Sequence, residues 1–452
     1  MKLALNAGDP WSAAAVYDIA AGPEKWQLEA LMFGSRRNAL MLARWEHTPA
    51  EVLQGLAASG EFALRMRLDR NAGTGALALS QLYRGERNAV LIGLIAQHRH
   101  TPEEVLEQIA EIDEDMAILK ALSTNPAASE RVLRTLAARM PGMFDSAIAT
   151  HPATPPDMLE TLYPASNAFI RAAIVSHAHC PVHVLERAAE EQDPTVLRHL
   201  AASTRIAPAV LVRLARSPDA AVRRAAAANP ALAPALLLEL VRDASSAVRR
   251  AVATRDDLPL AAIEALAADP DHLVRQWIAR QPATPQRLLK RLAQEDNVEV
   301  RRAVARNPAC PRALLKLLAA DKSAWVRAAV AYQPRATATL LQTLAEDGDV
   351  DVLSGVASNP KSPQNILRRL AQSAEADVRR GVILNPSATR RTLQPLLQDP
   401  YYLHRLLLTG NAVLKDKDKW PLHDDPDDTV RFSAMRWFAG KQRQDLVTHK
   451  AS

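Results

Sequence analysis

Apolar residues fall along this chain in short groups spaced i, i+1, i+4, as in Leu236, Leu237 and Leu240 or Leu288, Leu289 and Leu292. That spacing lays one buried stripe on a short helix. A second kind of group, such as Val248, Ala251 and Val252, is spaced i, i+3, i+4 and predicts another helix with a buried face of its own. The two kinds alternate, separated by polar turns, so the pattern predicts helix pairs and no strands.

The pairs recur at a fixed interval. Asn125, His151, His177, Ser203, Asn229, Arg255, Gln281, Asn307, Gln333, Asn359 and Asn385 lie 26 residues apart, and the step widens to 27 at His98 and Asn71 before returning to 26 at Trp45. A period in this range predicts stacked units that each touch only their neighbours. The expected fold class is therefore all-α, a solenoid of two-helix repeats. Expected boundaries are an N-terminal helical cap over 1–44, a repeat array over 45–411 and a C-terminal cap over 412–452, built as one body. Trp11, Trp26, Phe33 and Trp45 crowd one end and Trp420, Phe432, Trp437 and Phe438 the other, where large rings can seal the open faces of an apolar stack.

Three further columns define each repeat. Thr, Ser or Cys followed by Pro opens the first helix (Thr48, Thr101, Thr154, Cys180, Thr284, Cys310, Ser362), a pattern in which the hydroxyl accepts from first-turn amides and Pro occupies the first helical position. A second N-cap column runs through Asp115, Asn167, Asp193, Asp219, Ser245, Asp271, Asn297, Ser323, Asp349 and Asp427. The residues spaced by 26, often Asn-Pro, close the second helix, because Asn tolerates turn or left-handed backbone and Pro forbids further helix.

Charge adds a surface feature. The net charge is +6, with 12 basic against 16 acidic residues over 1–125 and 36 against 27 over 126–411, so the positive excess belongs to the repeats. Arginines follow the core Val at one phase, among them Arg223, Arg249, Arg275, Arg301 and Arg327, with a second rank that includes Arg198, Arg224, Arg250, Arg302 and Arg380. Two readings of the line are open. It can grip carboxylates or phosphates of a macromolecule through planar forks, or it can bridge to acids such as the Asp219, Asp271 and Asp349 column and knit the stack. Trp277 and Trp325 are the mid-array tryptophans and join the arginine line as candidate macromolecule-binding residues; Trp325, in a column otherwise filled by small or polar residues, is either a binding anchor or a core or groove filler.

The sequences QPATPQRLLKRLAQEDNVEVRRAVARN and NPACPRALLKLLAADKSAWVRAAV resemble the bacterial leucine-rich repeat variant family, over roughly residues 45–411, and HEAT repeats more weakly. The resemblance implies a right-handed superhelix of α-helices alternating with short, often 3₁₀, helices. Some members carry an N-terminal iron–sulfur module held by clustered cysteines. No cysteine precedes Cys180 here, so the module does not carry over and no cofactor is expected.

Other candidate chemistry is sparse. Cys180 and Cys310 lie five repeats apart, about 50 Å at ~10 Å per stacked helix, and are expected to be free thiols. His151, His177, His179, His183 and His199 have zinc-ligating side chains, but the spacing matches no ordinary zinc pattern. Glycine-rich phosphate loops, nucleophile elbows and metalloprotease His-Glu pairs are missing from the sequence. The N-terminus lacks a secretory signal and no run is long enough to span a membrane, so cytoplasmic residence is expected. The functional expectation is a non-enzymatic scaffold or adaptor that binds another protein through an extended surface. The alternatives are a nucleic-acid binder that uses the arginine line and a repeat-scaffold DNA-repair enzyme.

Overall fold

The computed structural model describes residues 2–451 apart from Gly60 and Gly85. Helices make up 67 % of the chain and no strand occurs among the described residues, so the architecture is all-α and of the solenoid class. No helix among them is long and apolar enough to cross a membrane. The helices gather into two compact units, residues 180–404 and residues 1–179 with 405–452.

The unit 180–404 is a run of helix pairs. Gln286–Leu292 precedes Val298–Arg306, and Arg312–Leu318 precedes Ala324–Tyr332. Leu288, Leu289 and Leu292 of one first helix and Val300 and Val304 of its second are buried, as the two spacings require. Full burial of each such side chain contributes about 1.5–3 kcal/mol. Both helices of these repeats are α-helical, with second helices of eight or nine residues. The 3₁₀ helices implied by the resemblance occur in this unit only at Gln394–Gln398, among the described residues.

Two of the expected caps work differently. Asp219, Asp271 and Asn297 accept first-turn amides as N-caps, but Ser245 and Ser323 do not. Their own amides are instead held by Asp243 and Asp321, two residues earlier. The Thr-Pro hydroxyls do not cap forward at all. Thr48, Thr101 and Thr284 donate backwards, to the carbonyls of Leu42, Ile95 and Ile278 six residues earlier, while Pro49, Pro102 and Pro285 take the N-cap position themselves. The physical reason is the carbonyl end of the preceding helix, whose last groups lack intrahelical partners and need a donor more than the next helix needs an acceptor.

The unit formed by 1–179 and 405–452 places the two aromatic-rich segments against each other. Trp45 lies 4.4 Å from Trp11 and 4.5 Å from Phe432, ring centre to ring centre. Arg436 reaches Asp18 at 2.8 Å and the Ala15 carbonyl at 3.2 Å. These rings therefore seal one another, while Trp26, at 70 % exposed, seals nothing.

Candidate functional site

The residues spaced by 26 form a ladder of cross-repeat hydrogen bonds. The Asn307 amide donates to the carbonyls of Ala279 (2.8 Å) and Gln281 (2.7 Å) while its oxygen accepts from the Ala309 amide. Asn229, Asn359 and Asn385 repeat this arrangement. Gln281 and Gln333 keep the two donor bonds. Arg255 keeps them as well, and Asp257 takes its remaining side. The Asn and Gln members have extended backbone, and among the described residues no residue other than glycine has positive φ. The column is there to satisfy carbonyls of the preceding repeat, not to supply left-handed turns.

The arginine column is a second ladder. Arg301 donates through Nε to Asp321 Oδ2 at 2.7 Å and through Nη2 to Oδ1 at 3.0 Å, and its Nη1 reaches the carbonyls of Glu295 and Asp296. Arg223, Arg249 and Arg327 hold Asp243, Asp269 and Asp347 in the same bidentate way, and Arg275 holds Glu295. The acids stand 20 residues after their arginines, a different column from the Asp219, Asp271 and Asp349 caps that the sequence suggested. The Arg301 guanidinium is held above its ordinary range by the Asp321 hydrogen bond. Most of each fork's donors are committed within the stack.

Trp277 and Trp325 stand apart from that ladder. Each is two residues from a ladder arginine, a rotation of about 200° on a helix, and so faces the other way. Trp325 is 54 % and Trp277 41 % exposed, so neither fills the core. Arg302 lies over the Trp325 ring at 5.8 Å and Arg280 over Trp277 at 5.5 Å. Arg280, Arg306 and Tyr332 share one phase of consecutive repeats, and all three are exposed. Although its side chain reaches solvent, partial desolvation, then the neighbouring Arg302 and Arg280 charges, push the Arg306 guanidinium below its ordinary value, with Glu299 opposing. Sequence reading passed over Arg280, Arg306 and Tyr332, although their spacing of 26 was there to be seen.

This face lies on the tight layer of the unit. A Cβ on Gly355 would stand 2.7 Å from the Ala331 Cβ, and one on Gly381 2.8 Å from that of Ala357, so consecutive second helices nearly touch. First helices are spaced more widely, and a cleft of about 340 Å³ opens between Arg312, Lys316 and Thr339, Thr343. Second helices thus offer a continuous surface, first helices a grooved one.

His151, His177 and His179 are engaged as backbone partners, while His199 Nε2 meets Arg198 at 3.3 Å. His177 Nε2 meets the His151 carbonyl at 2.9 Å and its Nδ1 takes the His179 amide, while His179 Nδ1 meets the Thr154 carbonyl. Cys180 and Cys310 are free and buried, and burial pushes each thiol up to about 11.

An all-α stack of paired helices with two polar ladders is the class of protein that these features define. Within it, residues 247–271 match the leucine rich repeat variant model and residues 275–334 match the leucine rich repeat variant domain model, so the family likeness seen in the sequence is shown for these repeats. Among solved structures, similarity extends to a leucine-rich repeat variant with a novel repetitive structural motif, at 25 % identity over 49 % of this chain and 88 % of that one, TM-score 0.36. A chain of a Kap95p–RanGDP complex matches at 10 % identity over 95 % and 66 %, TM-score 0.34, and importin beta at 13 % over 90 % and 55 %, TM-score 0.24. No curated protein matches the chain.

Proposed function

We propose that this protein is a non-enzymatic repeat scaffold or adaptor that binds another protein, and that its second-helix face carries the contact. The observation behind this reading is the exposure of Trp277 on one second helix and of Trp325 and Tyr332 on another two repeats on, with Arg302 and Arg306 half-exposed and exposed on the second helix between them, since aromatics beside arginines are the residues that dominate protein interfaces. The Arg223-to-Arg327 line is better suited to holding repeats together, because its forks are already occupied by carboxylates and carbonyls. That weakens the nucleic-acid reading that rested on it.

Affinity capture with the tagged protein, at low and moderate salt and with and without nuclease, tests the reading. The expected outcome is a stoichiometric protein that resists nuclease and is lost when Trp277 and Trp325 are both changed to Ala. Recovery of nucleic acid that disappears with modest salt, as phosphate-driven binding does, would overturn it.

A further inference from the structure

We infer that the exposed face of His272–Arg280, Val298–Arg306 and Ala324–Tyr332 recognises an acidic peptide segment that carries an aromatic or aliphatic side chain among its carboxylates. The inference rests on the protein-binding reading and adds the chemistry of the partner.

Charge complementarity carries it. Three arginines, Arg280, Arg302 and Arg306, converge here, whereas every arginine described above in the neighbouring ladder holds an acid at close range. Among the described residues neither Arg280 nor Arg306 has a carboxylate within ion-pair distance, while Arg302 pairs with Glu299 at 3.5 Å. The Arg302 Nε is buried without a hydrogen-bond partner. Glu299 is the one acid within these three helices, so the three cations leave the face with a positive excess that an anionic partner can offset. Arg280 and Arg302 lie over the Trp277 and Trp325 rings, which leaves the planar fork of Arg280 free for a carboxylate, while the rings themselves offer apolar area to a side chain lying between them.

The patch is bounded. On one side Arg250 is already paired with Asp271, and on the other Asp351 and Asp377 occupy the phase that Trp325 holds. Three helices at interaxial spacings of ~8–10 Å span about 20–30 Å, the reach of roughly six to nine extended residues. A polyanion tracking the array would meet those aspartates after one repeat, so a short acidic segment fits better than a nucleic-acid strand.

The test is selection of a random peptide library, displayed on phage, against the full-length protein and its Arg280→Gln/Arg306→Gln variant, with Trp325→Ala as a second variant and thermal melts to show that all remain folded. Enriched peptides are expected to combine Asp or Glu with an aromatic or aliphatic residue, and their synthetic forms to lose at least about tenfold in affinity (about 1.4 kcal/mol) on either variant. Peptides enriched equally on wild type and variants would overturn the acidic site while leaving the protein-binding reading in place. No enrichment, together with binding of a single-stranded oligonucleotide, would overturn both.

Discussion

Asp69, a buried residue, and Asp321, a half-buried residue with its side chain 8 % exposed, are both largely desolvated carboxylates of the repeats, yet their surroundings differ in kind. Asp321 is built into a ladder. Burial pushes its pKa up, but the Arg301 hydrogen bond, the Ser323 amide and the Arg301 charge outweigh that and hold it below the ordinary carboxylate value. Asp69 stands at the position where other repeats carry alanines such as Ala279, Ala305 and Ala331. It is 3 % exposed, neither oxygen has a hydrogen-bond partner, and burial above all, with Arg65 opposing and Glu86 adding, pushes it up to about 7. Burial is common to both; the bidentate partner is what keeps one ionised.

The largest effect should come from breaking the satisfied site. Asp321→Ala strands Arg301, 5 % exposed, and also frees the Ser323 amide. An uncompensated buried charge costs about 3–5 kcal/mol. Denaturant unfolding that shows a loss below about 1 kcal/mol would mean that the ladder is ornamental.

The opposite substitution should have the opposite sign. Asp69 is raised in the folded state to about 7 from an ordinary 3.8. Below pH 3.8 both states are protonated and the group is neutral in effect; between there and pH 7 the unfolded chain ionises while the fold resists, so stability falls as pH rises. Asp69→Ala, which restores the alanine of the column, should therefore stabilise by about 2–4 kcal/mol above pH 7, and the gain should vanish towards pH 4. Melting curves of the two proteins across that range provide the check; a gain that is flat with pH would show that Asp69 is not the titrating group.

The helix pairs and their stripes were legible because they depend on spacing alone: Leu288, Leu289, Leu292 and Val300 are buried where the pattern put them. The Asp219, Asp271 and Asn297 caps were legible for the same reason. The arginine partners were not, because Arg301 and Asp321 meet across repeats at a separation of 20, and only packing decides which of two acidic columns lies opposite the fork. The Thr hydroxyls were misread because a hydroxyl both donates and accepts, and sequence does not say which unsatisfied end of which helix it faces. The exposed face was half legible: Trp277 and Trp325 stood out as rare residues, whereas Arg280 and Arg306 were hidden among many arginines.

The chain itself contains the control for the ladder. At the positions equivalent to Arg301 and Asp321, one repeat has Leu197 with Ser217 and another has Leu353 with Ser373. In both, the arginine and the acid are missing together, as expected if either alone is costly and the pair is nearly neutral against an uncharged alternative. Arg301→Leu with Asp321→Ser should therefore cost only about 1–2 kcal/mol, less than Asp321→Ala alone, although it removes more polar groups. The residual loss would come from the Glu295 and Asp296 carbonyls that Arg301 now serves and that a leucine leaves to solvent. A double-mutant cycle measures the difference directly. If the double variant is as unstable as the sum of its single changes, the ladder's value lies in each hydrogen bond separately, and the comparison between Asp321 and Asp69 loses its basis in charge.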